Sequence, residues 1–254
     1  MTKRIVITGR GGTGKTTFAA LAARLLPSPK LLIDADPDAH LAAVLGVDLQ
    51  ARGVRTISEA LLELHGRKGS GKLEALPLAE RVEYVLHLSC LYESAEFDLL
   101  SLGVKWTRGC YCAANDTLRT LIPRIAQNYA FSIMDSPAGV EHVNRQVFHE
   151  VDDVFAIMDP SSKSLRNTLT FRDMASSIGF HYENLFIVAN HRFVGADGAR
   201  LRAVPGATFL GRIEQDPAVE RCEWEDTSLL ALPDNSPACV SIRGILQKAG
   251  YPVQ

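Results

Sequence analysis

Short apolar runs recur along the chain, each closed by a polar or glycine-containing turn. Arg4–Thr8, Lys30–Ile33, Phe97–Gly103, Ala130–Asp135, Val154–Met158, Leu185–Ala189 and Thr208–Gly211 have the length and the β-branched content of buried strands. Their runs are near-continuous rather than alternating, the mark of strands covered on both faces. Between them lie stretches with apolar residues three and four apart: Phe18–Leu26, Ser58–His65, Leu78–Leu86, Thr117–Asn128, Leu165–Ile178, a segment opened by Asp216-Pro217, and Ala238–Ala249. In the fourth of these, Leu118, Leu121, Ile122 and Ile125 share one helical face. Strand and helix in alternation predict an α/β fold with a mostly parallel, twisted sheet and helices on both faces. The chain is expected to be a single domain over 1–254, with residues 50–95 adding helices at one edge of the sheet. Gly66–Lys72 reads as a surface loop.

Composition narrows the class. The 254 residues are 46% hydrophobic and 22% charged, enough apolar material for a substantial core. The formal net charge is −2 and no basic block is present, so no nucleic-acid partner is expected. No apolar run reaches membrane-spanning length, and the last helix carries only Arg243 and Lys248, a poor membrane anchor. A cytoplasmic protein is expected. Five cysteines, Cys90, Cys110, Cys112, Cys222 and Cys239, make a disulfide framework improbable in a chain of this size.

The richest chemistry lies between the first strand and the first helix, in Gly9-Arg10-Gly11-Gly12-Thr13-Gly14-Lys15-Thr16-Thr17. Strand, glycine loop and helix is the context a phosphate-binding loop requires. Glycines let successive N–H groups turn toward one anion, and the helix start adds unpaired N–H groups and a positive dipole end. Lys15 is placed to reach the β- and γ-phosphates of ATP, and the Thr16 hydroxyl to ligate Mg²⁺. Three further strand ends carry polar groups. Asp36, after Asp34 in the second strand's turn, is placed to orient an attacking water, and Asp34 to touch the Mg²⁺ shell; the same aspartates also suit a capped turn. Asp135 would hold the Mg²⁺ water shell, with Gly139 offering an N–H near the γ-phosphate. Asn190 has an amide able to read adenine. ATP or ADP with Mg²⁺ is the expected ligand.

A second candidate is Cys110-Tyr111-Cys112, expected in a loop over about 104–116. On an extended backbone the two sulfurs point the same way and could reach one ion. Thiolates suit Zn²⁺ or Ni²⁺, but two ligands do not close a tetrahedral site. A second chain would complete it; otherwise the pair is a feature of the loop.

The loop Gly9–Thr17 resembles the deviant phosphate loop of the MinD/ParA/nitrogenase-iron-protein superfamily. Asp135-Ser136-Pro137-Ala138-Gly139 is similar to the MinD form of its second switch. Gly109–Asn115 followed by Leu118-Arg119, Ala138-Gly139-Val140-Glu141-His142, and Asp159-Pro160-Ser161 with Ser164-Leu165 resemble the CooC-type ATPases, which mature nickel-containing carbon monoxide dehydrogenase. The resemblance covers most of the chain, with 50–95 matched poorly. It implies an ATP-driven homodimer whose two C-x-C pairs share one Ni²⁺ or Zn²⁺ ion. It also implies a client nickel enzyme, carbon monoxide dehydrogenase or a relative. The superfamily's signature lysine, which reaches across the dimer to the partner's phosphates, falls on Arg10. Arginine keeps the charge and adds a planar fork of donors, which suits an arginine-finger role.

Two other functions fit the same loop. A positioning or partition ATPase of the MinD/ParA kind should carry a basic amphipathic tail or a basic face, and this sequence carries neither. An iron–sulfur reductase takes a cluster cysteine from its second switch, and Asp135–Arg145 contains none.

Overall fold

The computed structural model describes residues 2–66, 76–103, 112–137, 150–177, 179–193 and 201–254, with the main chain alone at 65, 66, 112–117 and 176. The strands are β1 (Lys3–Gly9), β2 (Lys30–Asp34), β3 (Leu91–Tyr92), β4 (Asp98–Ser101), β5 (Phe131–Asp135), β6 (Glu150–Met158), β7 (His181–Ala189) and β8 (Thr208–Arg212). They form one sheet in the order β3-β4-β2-β5-β1-β6-β7-β8. Every pairing is parallel except β3 with β4 at the edge. The described α-helices are α1 (Lys15–Leu25), α2 (His40–Val44), α3 (Ile57–Gly66), α4 (Leu78–Val85), α5 (Cys112–Ala126), α6 (Ser162–Ser177), α7 (Pro217–Glu225) and α8 (Pro237–Lys248).

The period-2 alternation of a strand sorts the buried side chains into two layers. Ile5 and Ile7 join one cluster with Leu32, Ile133, Phe155 and Ile157, and Val6 between them joins the other with Leu31, Ile33, Met134 and Val154. The first layer is closed by Phe18 and Leu21 of α1, Leu41 of α2, and Ile242, Ile245 and Leu246 of α8. The second is closed by Ile57 and Leu61 of α3, Val82 of α4, Leu121, Ile122 and Ile125 of α5, and Phe171 of α6. Helices therefore cover both faces, as the near-continuous apolar strands require.

Three differences from the sequence reading have physical causes. The edge strand β3 is two residues long and antiparallel, too short to leave a periodic trace. β6 and β7 begin well before their apolar halves, with Asp153 and Asn184 in the added parts. There Asp153 is buried yet accepts from Asn184 Nδ2 at 2.7 Å and from the Tyr251 hydroxyl, so a polar residue is satisfied inside the sheet. Finally, α5 starts at Cys112, earlier than Thr117. Cys112 is thus the first helical residue; Cys110 and Tyr111 lie outside the described residues.

α1 is anchored at both ends. Gly14 precedes it with φ +94°, a left-handed conformation that favours glycine. At the far end the buried Lys30 donates to the carbonyls of Ala23 and Leu26 at 2.5 and 2.6 Å, closing orphaned acceptors of the last turn.

Candidate nucleotide-binding site

Parallel strands bring their C-terminal ends to one edge. The register pairs Ile7 with Asp135, Gly9 with Ile157, and Asp34 with Asp135. The phosphate loop after β1 therefore lies between the turns that follow β5 and β6, where open α/β sheets gather ligand chemistry. Gly9 makes this closeness tolerable: a Cβ there would collide with the carbonyl oxygen of Ile157.

The loop folds over its own carbonyl. Arg10 O accepts from the Thr13 N–H at 3.4 Å, the Thr13 hydroxyl at 2.9 Å and Lys15 Nζ at 3.3 Å. Lys15 is only 6% exposed, so its ammonium is held at the loop rather than in solvent. Gly14, before α1, supplies no capping side chain. Helix geometry leaves the first N–H groups of α1 without intrahelical acceptors, and together with the loop they form a cradle for an anion.

Next to the cradle lie two buried carboxylates. The Thr16 hydroxyl donates to Asp135 Oδ2 at 2.6 Å. Asp135 Oδ1 is buried and has no hydrogen-bond partner among the described residues. Burial pushes the Asp135 carboxyl up to about 7, and the Asp34 charge adds to the rise against the pull of the Thr16 hydroxyl and Lys15. A hydroxyl and an orphaned carboxylate oxygen beside a phosphate cradle are hard oxygen donors that fit Mg²⁺, which is bound through few protein ligands plus phosphate. Asp34 is raised to about 6, again chiefly by burial. Its oxygens accept from the N–H groups of Asp36 at 3.1 Å and Leu41 at 3.0 Å, so it ties down the turn into α2. Asp36 is half-buried at that turn and accepts from the Asp38 N–H at 3.1 Å.

The cradle opens into a cleft of about 390 Å³ lined by Gly12 to Thr17, Asn190, Arg192, Ile213, Asp216, Glu220 and Glu223, among others. Asn190 is buried in its wall. Its Nδ2 reaches Thr13 O at 3.5 Å and its Oδ1 accepts from the Arg192 N–H at 3.1 Å, which leaves one amide proton for a base. The residues after β8 were not singled out by the sequence. They carry no phosphate motif, and only the Asp216-Pro217 helix start marked their position.

The structure thus brings together Gly9, Gly11, Gly12, Thr13, Gly14, Lys15, Thr16, Thr17, Asp34, Asp36, Asp135 and Asn190 at one sheet edge. Arg10 starts from the same loop, but its side chain turns toward Asp159 and Ser161 in the turn after β6. Gly139 and Cys110 lie outside the described residues, and of Cys112 only its place at the start of α5 is described. Among the described residues no group of three or more His, Cys, Asp or Glu side chains could hold a metal ion, and no helix is long and apolar enough to cross a membrane.

No protein-family model matches the chain. An uncharacterized ATP-binding protein of Methanocaldococcus jannaschii is 27% identical over 256 residues, 96% of this chain and 97% of that protein. The carbon monoxide dehydrogenase accessory protein CooC of Rhodospirillum rubrum is 29% identical over 93% of this chain and 91% of its own. The septum site-determining protein MinD of Pyrococcus horikoshii, solved with Mg-ADP, superposes with a TM-score of 0.68 at 20% identity, covering 98% of this chain and 96% of that one. The chain is an ATPase with the P-loop fold seen in MinD, and it is similar over nearly its whole length to CooC. In this ATPase the loop after β1 stands between the carboxylates that end β2 and β5 on one side and the cleft beside β7 and β8 on the other.

Proposed function

We propose that this ATPase acts in the cytoplasm as a maturation factor for a nickel enzyme, carbon monoxide dehydrogenase or a relative. Two copies come together around ATP and around one Ni²⁺ or Zn²⁺ ion held jointly by their Cys110 and Cys112 thiolates. The observation that carries this reading is the 29% identity to CooC over nearly the whole of both chains. The C-x-C pair within Gly109–Asn115 supports it from the sequence.

The nucleotide site divides its tasks by chemistry. The N–H groups from Gly9 to Thr17 and the Lys15 ammonium take the phosphates. Thr16 would ligate Mg²⁺ and Asp135 would hold its water shell, and the ion would offset the charge of the phosphates. Asp34 fixes the turn that carries Asp36, and Asp36 orients the attacking water. Gly139 offers an N–H to the γ-phosphate, Asn190 faces the base, and Arg10 reaches the phosphates of the second copy. α8, the most C-terminal helix, is folded against α1 with Ile242, Ile245 and Leu246 buried. Those side chains belong to the core, so α8 itself does not offer them to a membrane.

Metal analysis tests the shared site. The expected content is about one ion per two chains, since a closed thiolate site takes four ligands. Metal should promote dimers without nucleotide, because an ion that binds only the pair stabilises it by mass action. Cys110→Ser and Cys112→Ser should lose both metal and metal-driven association while keeping ATP binding. One ion per monomer with no effect on association, or full retention in either variant, would exclude the shared site.

A further inference from the structure

Arg10 is already occupied within its own chain. Its Nη1 donates to Ser161 Oγ at 3.3 Å and lies 3.7 Å from Asp159 Oδ2. The acceptors are themselves fixed. Asp159 Oδ1 takes the Ser161 N–H at 3.0 Å and the Ser161 hydroxyl at 2.5 Å. Ser161 Oγ in turn accepts the Ser164 N–H at 3.1 Å at the start of α6, and the Asp159 N–H reaches back to Ser164 Oγ at 3.3 Å. Asp159, Ser161 and Ser164 therefore form one hydrogen-bonded unit at the junction of β6 and α6. The main chain of Arg10 is pinned as well, through its carbonyl, by Thr13 and Lys15. The side chain is 37% exposed, so it can swing while the backbone stays in place.

We propose that Asp159 and Ser161 are positioning residues for Arg10: they hold its guanidinium in cis, and the triphosphate of a second copy must displace Asp159 before the arginine can cross between chains. This rests on the reading that Arg10 serves the partner's nucleotide. The exchange swaps one anion for another, so the guanidinium is never left without a counter-ion. A γ-phosphate with its higher charge competes with the carboxylate where ADP competes poorly. The contact thereby makes self-association depend on the triphosphate, and Arg192, which also faces Asp159 electrostatically, helps to keep that carboxylate ionised.

The size of the effect follows from symmetry. A half-exposed ion pair is worth about a two- to fivefold bias. A two-fold pair must open both contacts, so the bias is squared to roughly four- to twenty-five-fold. Sedimentation equilibrium with Mg²⁺ and AMP-PNP is the test, on the full chain and on Arg10→Ala, Asp159→Asn, Ser161→Ala and the Arg10→Ala/Asp159→Asn double variant. Asn keeps an acceptor for Ser161 and removes the charge. The expected result is tighter association for Asp159→Asn, a smaller gain for Ser161→Ala, weaker association for Arg10→Ala, and no effect of Asp159→Asn once Arg10 is gone. Should Asp159→Asn fail to fold, the gain in Ser161→Ala decides alone. If Arg10→Ala weakens association but neither Asp159→Asn nor Ser161→Ala tightens it, the cis contact has no such role and the crossing role survives. A gain for Asp159→Asn that persists without Arg10 also overturns the proposal. Equal association of Arg10→Ala and the full chain would remove the crossing role itself.

Discussion

Lys15 is turned onto the carbonyl of Arg10 and almost fully buried. An ammonium in that position has one neutral acceptor here, and exchanges it for phosphate oxygens when ATP arrives. The bond to the carbonyl has charge on the donor only; phosphate oxygens add the opposite charge on the acceptor, and that Coulomb attraction at a buried ammonium makes the exchange a large part of nucleotide affinity. Lys15→Ala should weaken Mg-ATP binding by roughly 100-fold or more, read by isothermal titration calorimetry. Asp36 is different: it stands at the turn after β2 and contributes no charge that attracts a phosphate. Asp36→Ala should leave affinity nearly unchanged and lower turnover by roughly 100-fold or more, and unchanged turnover would remove it from the mechanism. At this scale, the motif residues were legible because spacing alone places them: Lys15 and Thr16 open a helix, and Asp135 ends a strand. Asp159 as the partner of Arg10 was not. Their contact depends on β1 and β6 being neighbours in the sheet, which no local pattern specifies.

At the scale of elements, Asp216 joins two helices. It caps α7 by accepting from the Ala218 N–H at 2.9 Å, and its second oxygen takes the Ser236 hydroxyl at 2.5 Å and the Ala238 N–H at 3.1 Å at the start of α8. Burial alone would raise its pKa. The hydrogen bonds from Ser236, Ala238, Ala218 and Val219 outweigh that and hold it below the usual carboxylate range. Asp216→Ala should cost about 2 kcal/mol, a fall in Tm of roughly 4–8 °C for a chain of this size. Because the folded pKa is depressed, the charge contributes stability above the unfolded value of about 4 and loses it as pH falls through the lower folded value. The gap between the full chain and Asp216→Asn should therefore be widest near neutral pH and close in acid, as followed by thermal melts. A constant gap would show that the charge is not what Asp216 contributes. The strand pattern read true where burial is two-sided, as in β1, β2 and β5. It fell short in β6 and β7, where Asp153, Asn184 and Tyr251 satisfy one another and let polar residues continue a strand.

At the scale of the molecule, one topological fact organises the chemistry. β1 is central, and the turns after β1, β2, β5, β6 and β7 all open at the same edge. Residues from Gly9 to Asn190 thus meet although they are scattered along the sequence. The α/β class was legible from the alternation of strand and helix; the strand order was not, since periodicity says nothing about which strands are neighbours. The cleft wall after β8 depends on β8 lying beside β7, a neighbour relation that no local pattern specifies.

On the proposed function, ATP turnover by this chain serves the loading of nickel into another enzyme. The direct measurement is the nickel content of a purified, nickel-free carbon monoxide dehydrogenase after incubation with Ni²⁺, Mg-ATP and this protein, beside the same reaction with Lys15→Ala. Nickel uptake should rise with the full chain and ATP, and fall to the level without the protein when Lys15→Ala replaces it. Equal uptake with the full chain, with Lys15→Ala and without ATP would contradict the claim.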